Sequence, residues 1–266
     1  MTILYFTGTG NSLYAAKLIG GNLLSIPQLI KDNQYEIKDD SVGIIFPCYG
    51  FNVPEIVERY ISKANISADY LFAVMTYGGI PFSGLRQIEK IFAGKNQTLD
   101  YVNEVTMVNN ILLTYKVEEQ LEQKPLAQID LKLHEIAADI RMRKQRHSQK
   151  RALSNLASVS FLGLERRLDI SRMMTLRNFT VTDHCISCGI CPKVCPAGNV
   201  TVKSQSKPEF GNNCLSCMAC INNCPQNAIH HKRERSSVKY RNPGISLSEI
   251  IRSNNQDKAV GQQLLS

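Results

Sequence analysis

Near its N-terminus the chain reads Thr2-Ile-Leu-Tyr-Phe-Thr-Gly-Thr-Gly-Asn-Ser12, an apolar run that leads into a turn of small and hydroxylated residues. Thr2–Phe6 predicts a buried strand, and the apolar spacing of Leu13–Ile19 predicts a helix directly after the turn. The positive end of such a helix, with its free backbone N–H groups, is a binding site for phosphate. The candidate phosphate-binding residues are Thr7, Gly8, Thr9, Gly10, Asn11 and Ser12.

Strands and helices continue to alternate after this turn. Further buried strands are predicted at Val42–Phe46, Tyr70–Thr76 and Asp100–Val108. Helices are predicted over Pro54–Lys63, where the proline suits the start of a helix, and over Gly84–Ala93. This alternation is typical of a doubly wound α/β domain with a parallel sheet. Leu23–Ile30 is an additional candidate strand, and a helical pattern runs from Lys116 to about Gln145.

Two further loops follow predicted strands. They are Pro47-Cys48-Tyr49-Gly50-Phe51-Asn52 and Thr76-Tyr77-Gly78-Gly79. The carboxyl ends of parallel strands meet at one edge of the sheet, where doubly wound domains bind their ligand. The first turn lacks the Gly-Lys-Ser/Thr of a P-loop and the third glycine of a dinucleotide-binding fingerprint, so neither of these nucleotide sites is predicted.

The segment Thr7-Gly-Thr-Gly-Asn-Ser12 resembles the FMN phosphate loop of flavodoxins. The resemblance implies that threonine and serine hydroxyls bind the phosphate without a counter-cation, and that the two later loops enclose the isoalloxazine ring. Tyr49 or Tyr77 is then a candidate to stack on the ring, although either can equally be a surface aromatic. Cys48 is interpreted as a small buried residue. A glycine-rich turn taken alone is also compatible with a purely structural role.

Eight of the nine cysteines lie between Cys185 and Cys224. They form two runs, Cys185-Ile-Ser-Cys188-Gly-Ile-Cys191-Pro-Lys-Val-Cys195-Pro196 and Cys214-Leu-Ser-Cys217-Met-Ala-Cys220-Ile-Asn-Asn-Cys224-Pro225. Each cysteine of the first run recurs 29 positions later. So regular a repeat, without an export signal, favours a metal site in a reducing compartment over a disulfide framework. Structural zinc, which takes four ligands per ion and accepts C-x2-C pairs, is the other metal alternative.

The spacing C-x2-C-x2-C-x3-C-P resembles that of bacterial ferredoxins with two [4Fe–4S] clusters. The resemblance implies a small α+β ferredoxin-like domain in which each cluster is held by three cysteines of one run and the fourth cysteine of the other. One cluster is then assigned to Cys185, Cys188, Cys191 and Cys224. The other is assigned to Cys214, Cys217, Cys220 and Cys195.

Charge is distributed unevenly along the chain, whose formal net charge is +8. Residues 1–140 carry 11 basic and 16 acidic side chains, residues 141–178 carry 10 and 2, and residues 179–266 carry 10 and 5. The middle segment is interpreted as a solvated basic face or as a docking surface that steers an acidic redox partner. Its basic residues are Arg141, Arg143, Lys144, Arg146, Lys150, Arg151, Arg166, Arg167, Arg172 and Arg177. No nucleic-acid-binding motif or aromatic interleaving accompanies them, so nucleic acid is not an expected partner.

These features predict four parts. They are a flavodoxin-like FMN-binding domain over 1–145, a basic helical connector over 146–178, a ferredoxin domain over 179–232 and a tail over 233–266. The combination resembles the flavodoxin–ferredoxin fusion proteins of anaerobic bacteria. No apolar run is long enough to span a bilayer and no signal peptide is recognised, so a cytoplasmic protein is expected.

The resemblance implies electron transfer between two [4Fe–4S] clusters and FMN, in exchange with a redox partner protein or a small-molecule acceptor. One alternative is a flavin-dependent reductase fed by the ferredoxin domain, with a substrate pocket lined by Tyr49, Phe51 or Phe82. Another is a cluster-bearing redox sensor without enzymatic activity. The sequence assigns no catalytic residue.

Overall fold

A parallel sheet of five strands lies at the centre of residues 1–148 in the computed structural model, which describes residues 1–50, 52–79, 81, 83–113, 115–148 and 179–254. The strands of this part of the chain are β1 (Thr2–Tyr5), β2 (Asn22–Ser25), β3 (Glu36–Lys38), β4 (Ser41–Pro47), β5 (Asn65–Ser67), β6 (Tyr70–Tyr77) and β7 (Tyr101–Thr106). The sheet has the order β2-β1-β4-β6-β7 with every neighbouring pair parallel, and β3 pairs separately with β5. Counted within the sheet, the order is 2-1-3-4-5, one of the two common doubly wound orders, with its switch point between β1 and β4. The predicted α/β doubly wound sheet is confirmed.

The central strands are buried on both faces. All of Val42–Phe46 in β4 and Tyr70–Thr76 in β6 is buried. Near-continuous apolar runs of this kind are typical of parallel strands that are covered by helices on both sides. Gly43 allows the closest packing in this core, because a Cβ at that position would lie 2.1 Å from the ring of Phe72.

Helices cover the sheet on both sides. They are α1 (Asn11–Ile19), α2 (Ile26–Lys31), α3 (Glu55–Lys63), α4 (Gly84–Ala93), α5 (Val117–Gln123) and α6 (Leu126–Arg141). The connection through α1 runs towards one edge of the sheet, whereas those through α2, α3 and α4 run towards the other. Because such crossovers are right-handed, α1 lies on the opposite face from these three helices, and α6 packs beside α1.

Two of the differences from the predicted elements are explained by proline residues. The strand expected over Leu23–Ile30 ends at Ser25, and α2 begins at Ile26. Pro27 stands in the first turn of that helix, where its fixed φ is suitable and its missing N–H is not needed. The helical pattern predicted from Lys116 is divided in the same way, because Pro125 separates α5 from α6.

The cysteine-rich part is a small α+β module of two antiparallel strand pairs and two short helices. Its elements are β8 (Phe179–Val181), α7 (Ile190–Lys193), β9 (Val200–Thr201), β10 (Glu209–Phe210), α8 (Ala219–Asn222) and β11 (Ile229–His231). Strand β8 pairs with β11 and β9 pairs with β10. Helices α7 and α8 occupy equivalent positions in the two cysteine runs and pack on each other. The internal repeat of the sequence is therefore also a repeat of structure.

The segment after this module returns to the first domain. Its helix, α9 (Leu247–Asn254), packs against α2, and the hydroxyl oxygens of Tyr5 and Ser253 lie 2.8 Å apart. The helix begins with a capping box, in which Ser246 and Glu249 each accept the backbone N–H of the other. Lys17 of α1 adds an ion pair with Glu249 at 2.6 Å. The helix is therefore packed onto the sheet domain.

Most of the basic connector, from residue 149 to residue 178, lies outside the described residues, as do Phe51 and Phe82. Just before the connector, Lys144 forms an ion pair with Asp139 at 2.6 Å. Arg146 pairs through its backbone with the edge strand β7. No helix within the described residues has the length and the apolar character required to cross a membrane.

Candidate functional site

The first candidate site is the turn between β1 and α1. Gly10, the N-cap residue, has a φ of 101°, which only glycine adopts readily, and no side chain caps the helix. The backbone N–H groups of the first helical turn are therefore not used by a capping side chain. Together with the positive end of the helix dipole, they form an arrangement that binds an anion.

Three hydroxyl groups surround this helix end, those of Thr7, Thr9 and Ser12, and each of these residues is at most 2% exposed. Thr7 Oγ1 accepts the N–H of Gly10 at 3.0 Å, and Thr9 Oγ1 accepts Asn110 Nδ2 at 2.9 Å. Each threonine thus keeps its own proton available for donation. A phosphate group at this turn would receive backbone and hydroxyl donors, although Thr7–Ser12 contains no lysine or arginine. The residues present fit the phosphate of a flavin mononucleotide.

This turn opens into a cleft of about 940 Å³. Its walls come from the segments that follow β1, β4, β6 and β7, all at the carboxyl edge of the parallel sheet. The cleft therefore lies at the switch point between β1 and β4, where doubly wound folds bind their ligand. Its volume is near the upper end of the range for small-molecule sites.

The structure brings most of the predicted cofactor-binding residues together around this cleft. Gly10 is different, because a Cβ at that position would meet Ile245 at 3.0 Å and Asn242 at 3.1 Å, behind the turn. Phe51 lies outside the described residues. The predicted residues that line the cleft are Thr7, Gly8, Thr9, Asn11, Ser12, Pro47, Cys48, Tyr49, Gly50, Asn52, Thr76, Tyr77, Gly78 and Gly79.

One wall that the motifs did not identify is the segment after β7, from Val108 to Ile111, with Tyr115 beyond it. Gly78 packs directly beneath it, since a Cβ there would lie 2.4 Å from the Cβ of Asn109. The predicted strand Asp100–Val108 already placed the start of this segment, Val108, at the carboxyl edge of the sheet. The predicted end of that strand was the feature of the sequence from which this wall could have been identified.

A second unpredicted wall comes from the other half of the chain. Cys214, Leu215, Ser216 and Met218, all in or beside the second cysteine run, line the same cleft. Cys217 lies against the phosphate turn: a Cβ on Gly8 would be 2.6 Å from its carbonyl oxygen and 2.9 Å from Tyr49 Oη. Cys217 also packs into the hydrophobic core that contains the central sheet. No local sequence pattern connects segments so far apart in the chain.

The eight cysteines of the repeat form two sets in space. Cys185, Cys188, Cys191 and Cys224, here called the outer set, line one small pocket. Cys195, Cys214, Cys217 and Cys220, here called the inner set, line another. Each set takes three cysteines from one run and its fourth from the other, as the sequence pattern implies. The sets are neighbours, because α7 and α8, which carry Cys191 and Cys220, pack on each other.

The surroundings of these sulfur atoms suit a buried, negatively charged group. Backbone N–H groups donate to the sulfur atoms of Cys195, Cys214 and Cys224 over 3.2–3.4 Å. Burial raises the pKa of Cys191 to about 12 and raises that of Cys220 well above its ordinary value. Thiolates at these positions therefore require a nearby positive charge, which iron supplies. The two sets fit iron–sulfur clusters.

No disulfide bond joins any of the nine cysteines, all of which lie within the described residues. Within the part of the chain that the structure describes, no group of three or more His, Cys, Asp or Glu side chains is arranged to hold a single metal ion. An iron–sulfur cluster is a larger body than one ion and separates its thiolates accordingly.

Comparison with known families matches residues 184–229 to the 4Fe-4S dicluster domain. No curated protein sequence matches the chain. A flavoprotein from Bacteroides uniformis is 13% identical, with a TM-score of 0.31, over 46% of this chain and 96% of that one. The Trp repressor binding protein of Bacillus subtilis is 10% identical, with a TM-score of 0.32, over 50% and 94%. Two-electron reduced flavodoxin from Megasphaera elsdenii is 15% identical, with a TM-score of 0.31, over 52% and 98%.

The two halves are assigned by separate observations. The strand order 2-1-3-4-5 and the cleft at its switch point are those of the flavodoxin-like doubly wound fold. The family match and the repeated cysteine runs define the smaller module. The chain combines a flavodoxin-like α/β domain with a 4Fe–4S dicluster ferredoxin domain, the arrangement of a flavodoxin–ferredoxin fusion.

Proposed function

We propose that this protein is an iron–sulfur flavoprotein that transfers electrons between two [4Fe–4S] clusters and FMN. The observation that carries the proposal is the shared cleft, which is lined by the phosphate turn and by Cys214 of the inner set, together with Leu215 and Ser216. A ligand in this cleft lies beside the inner set without any movement of the two halves. Direct electron exchange requires this proximity.

The chain's own groups would bind the flavin at both of its ends. The hydroxyls of Thr7 and Thr9 donate to the phosphate, and the uncapped end of α1 offsets its charge. Residues 47–50, Asn52 and residues 76–79 flank the part of the cleft that would take the ring. Bound FMN supplies chemistry of one or two electrons, whereas each cluster exchanges one electron.

The outer and inner cysteine sets would each hold one cluster. In both sets, sulfur atoms accept backbone N–H groups, and such hydrogen bonds are one of the means by which a protein sets the reduction potential of a cluster. The packing of both sets within one small module keeps them adjacent, so that an electron can pass between them.

The two sets differ in their exposure. Cys188 of the outer set is exposed, and its neighbour Ile186 presents 61% of its surface to solvent. Cys217 of the inner set is only 8% exposed and lies against the phosphate turn. We therefore place the contact with an external redox partner at the outer set and the contact with the flavin at the inner set.

A flavin-dependent reductase is the second candidate, and the extent of the cleft favours it. The cleft continues past the ring-flanking loops along α3, where Glu55, Arg59 and Lys63 line it. This extension offers room for a substrate beside a bound flavin. Steady-state turnover of a small quinone under anaerobic conditions would distinguish a reductase from a carrier that only relays electrons.

The test is an anaerobic purification with quantification of iron, sulfide, zinc and flavin. We expect about eight iron atoms, about eight sulfides and about one FMN per chain, with a broad iron–sulfur absorption that bleaches on reduction. Bound zinc in place of iron would contradict the cluster assignment. Clusters without flavin would contradict the flavin site and leave the cluster-bearing sensor as the better description.

A further inference from the structure

Tyr49 holds a hydroxyl group between the cleft and the inner cysteine set. Its ring packs edge-on against Phe6, with centroids 5.9 Å apart. Its backbone forms two hydrogen bonds with Asn52, of 3.0 and 2.9 Å, which close the loop. The core contact and the closed loop together fix the direction of the side chain.

The hydroxyl oxygen of Tyr49 is buried and has no hydrogen-bond partner among the described residues. Such a group is destabilising, and buried hydroxyls in folded proteins nearly always have a partner. A Cβ placed on Gly8 would lie 2.9 Å from Tyr49 Oη and 3.2 Å from the Cβ of Cys217. The hydroxyl is therefore next to a member of the inner set. A tyrosine hydroxyl carries its proton at neutral pH and is therefore available as a donor.

We propose that the Tyr49 hydroxyl donates a hydrogen bond to a sulfur atom of the cluster held by the inner set, and so raises the reduction potential of that cluster above the potential of the outer one. This inference rests on the proposed function. Reduction places additional negative charge on the cluster, and a hydrogen-bond donor stabilises the more negative state.

The difference in reduction potential between the two clusters gives electron flow a direction within the module. An electron supplied by the redox partner reduces the outer cluster, and its transfer reduces the inner cluster and leaves the outer one oxidised. No bond is made or broken and no proton leaves Tyr49 in this step. A higher potential at the inner cluster favours the transfer towards the flavin cleft. Tyr49 is thus a positioning residue, which acts on the cluster through a hydrogen bond.

The test is Tyr49→Phe in the full-length holoprotein, with potentiometric titration of both clusters by electron paramagnetic resonance and of the flavin by absorbance. Phenylalanine keeps the ring and its contact with Phe6. We expect the inner cluster to become about tenfold harder to reduce, a shift of about 59 mV for a one-electron couple, while the outer cluster and the flavin are unchanged. Tyr35→Phe is the matched control, because Tyr35 lines the same cleft but stacks on Tyr60 of α3.

Two further measurements make the result specific. Cys214→Ser removes one ligand of the inner set and identifies which signal belongs to that cluster. Iron–sulfur stretching frequencies should shift in D₂O for the native protein and shift less for Tyr49→Phe, a difference that a purely structural role does not produce.

The outcomes separate this inference from the proposed function. Unchanged potentials, a shift of the outer cluster, or a shift of the flavin alone would each overturn the role of Tyr49 while the electron-transfer function stands. Purified native protein without clusters or without flavin would contradict the proposed function itself.

Discussion

Replacing Gly8 with alanine tests the contact between the two halves of the molecule. The added Cβ would lie 2.6 Å from the carbonyl oxygen of Cys217 and 2.9 Å from Tyr49 Oη. Gly8 is not among the residues with positive φ, so alanine can adopt the same backbone conformation and only the new contact matters. Ordinary van der Waals contact begins at 3.4 Å, which means that the phosphate turn and the inner set must separate.

The expected cost follows from the nature of the obstructing atoms. Overpacking of a close-packed site typically costs about 1–3 kcal/mol. The nearest atom here belongs to the backbone, which cannot rotate away as a flexible side chain does, so we expect about 2–3 kcal/mol. Part of this strain is relieved if the inner set moves away from the cleft. That movement lengthens the path from the inner set to the flavin.

The assay follows the clusters and the flavin separately during anaerobic stopped-flow reduction. We expect flavin reduction to lag behind cluster reduction in Gly8→Ala more than in the native protein, together with a lower free energy of unfolding. Gly94→Ala is the control, because Gly94 has helical dihedral angles and its added Cβ would meet nothing closer than 3.5 Å. A variant with native stability and no additional lag would refute the direct contact on which the proposed function depends.

Two other substitutions address the C-terminal segment. Asn242→Ala removes the acceptor for the N–H of Gly244 and a donor to Asn11, and it keeps the Cβ beside Gly10. In Asn242→Ala we expect a fluorescence titration to give a dissociation constant for FMN about tenfold higher, which corresponds to about 1.4 kcal/mol. The control is Asn65→Ala, on the exposed surface. An unchanged dissociation constant in Asn242→Ala, or an equal increase in the control, would refute the role of Asn242 at the phosphate turn. Glu249→Gln keeps the capping box but removes the charge pair with Lys17, whose hydrogen bond is the main reason that the pKa of Glu249 is lowered to about 2. Because the pKa of Glu249 is lower in the folded state, its ionised form stabilises the fold at pH values above the unfolded pKa of 4.5, and this contribution is lost as the pH falls towards 2. Urea unfolding should therefore show a difference of about 1 kcal/mol between the native protein and Glu249→Gln at pH 7, and a smaller difference near pH 3.5. A difference independent of pH would show that the charge is not responsible.

Local patterns in the sequence predicted the elements that depend on local interactions. The strand Thr2–Tyr5, the turn after it and the helix Gly84–Ala93 follow from apolar periodicity and small residues at defined positions. The grouping of cysteines into two sets follows from a spacing whose geometry is largely fixed by short-range constraints. The strand predicted over Leu23–Ile30 was wrong in its second half, because an apolar run of that length is compatible with either a strand or a short helix, and Pro27 favours the helix.

The composition of the cleft depends on tertiary contacts that leave no local signal. Leu215 and Ser216 line the same space as Thr7 and Thr9, although about two hundred residues separate them. Likewise, the polar sequence after the cysteine module gave no indication that Asn242 donates to the carbonyl oxygen of Thr9 at 2.8 Å. Such contacts are made by backbone groups and by single buried amide side chains, and neither of these produces a periodic pattern in the sequence.

Helix α9 contributes to holding the inner set against the cleft. Asn254 at its end donates to the carbonyl oxygen of Val194 in the cysteine module at 3.1 Å, while Ser253 bonds with Tyr5 in the sheet. Lys17 anchors the other end of the helix through Glu249. One helix thus contacts both domains and holds them together after the chain has left the module. In the proposed function, transfer between the inner cluster and the flavin is then intramolecular and independent of protein concentration. Only the outer set, with Cys188 exposed, needs an encounter with another protein, so the salt dependence of overall electron transfer should reside in that step alone.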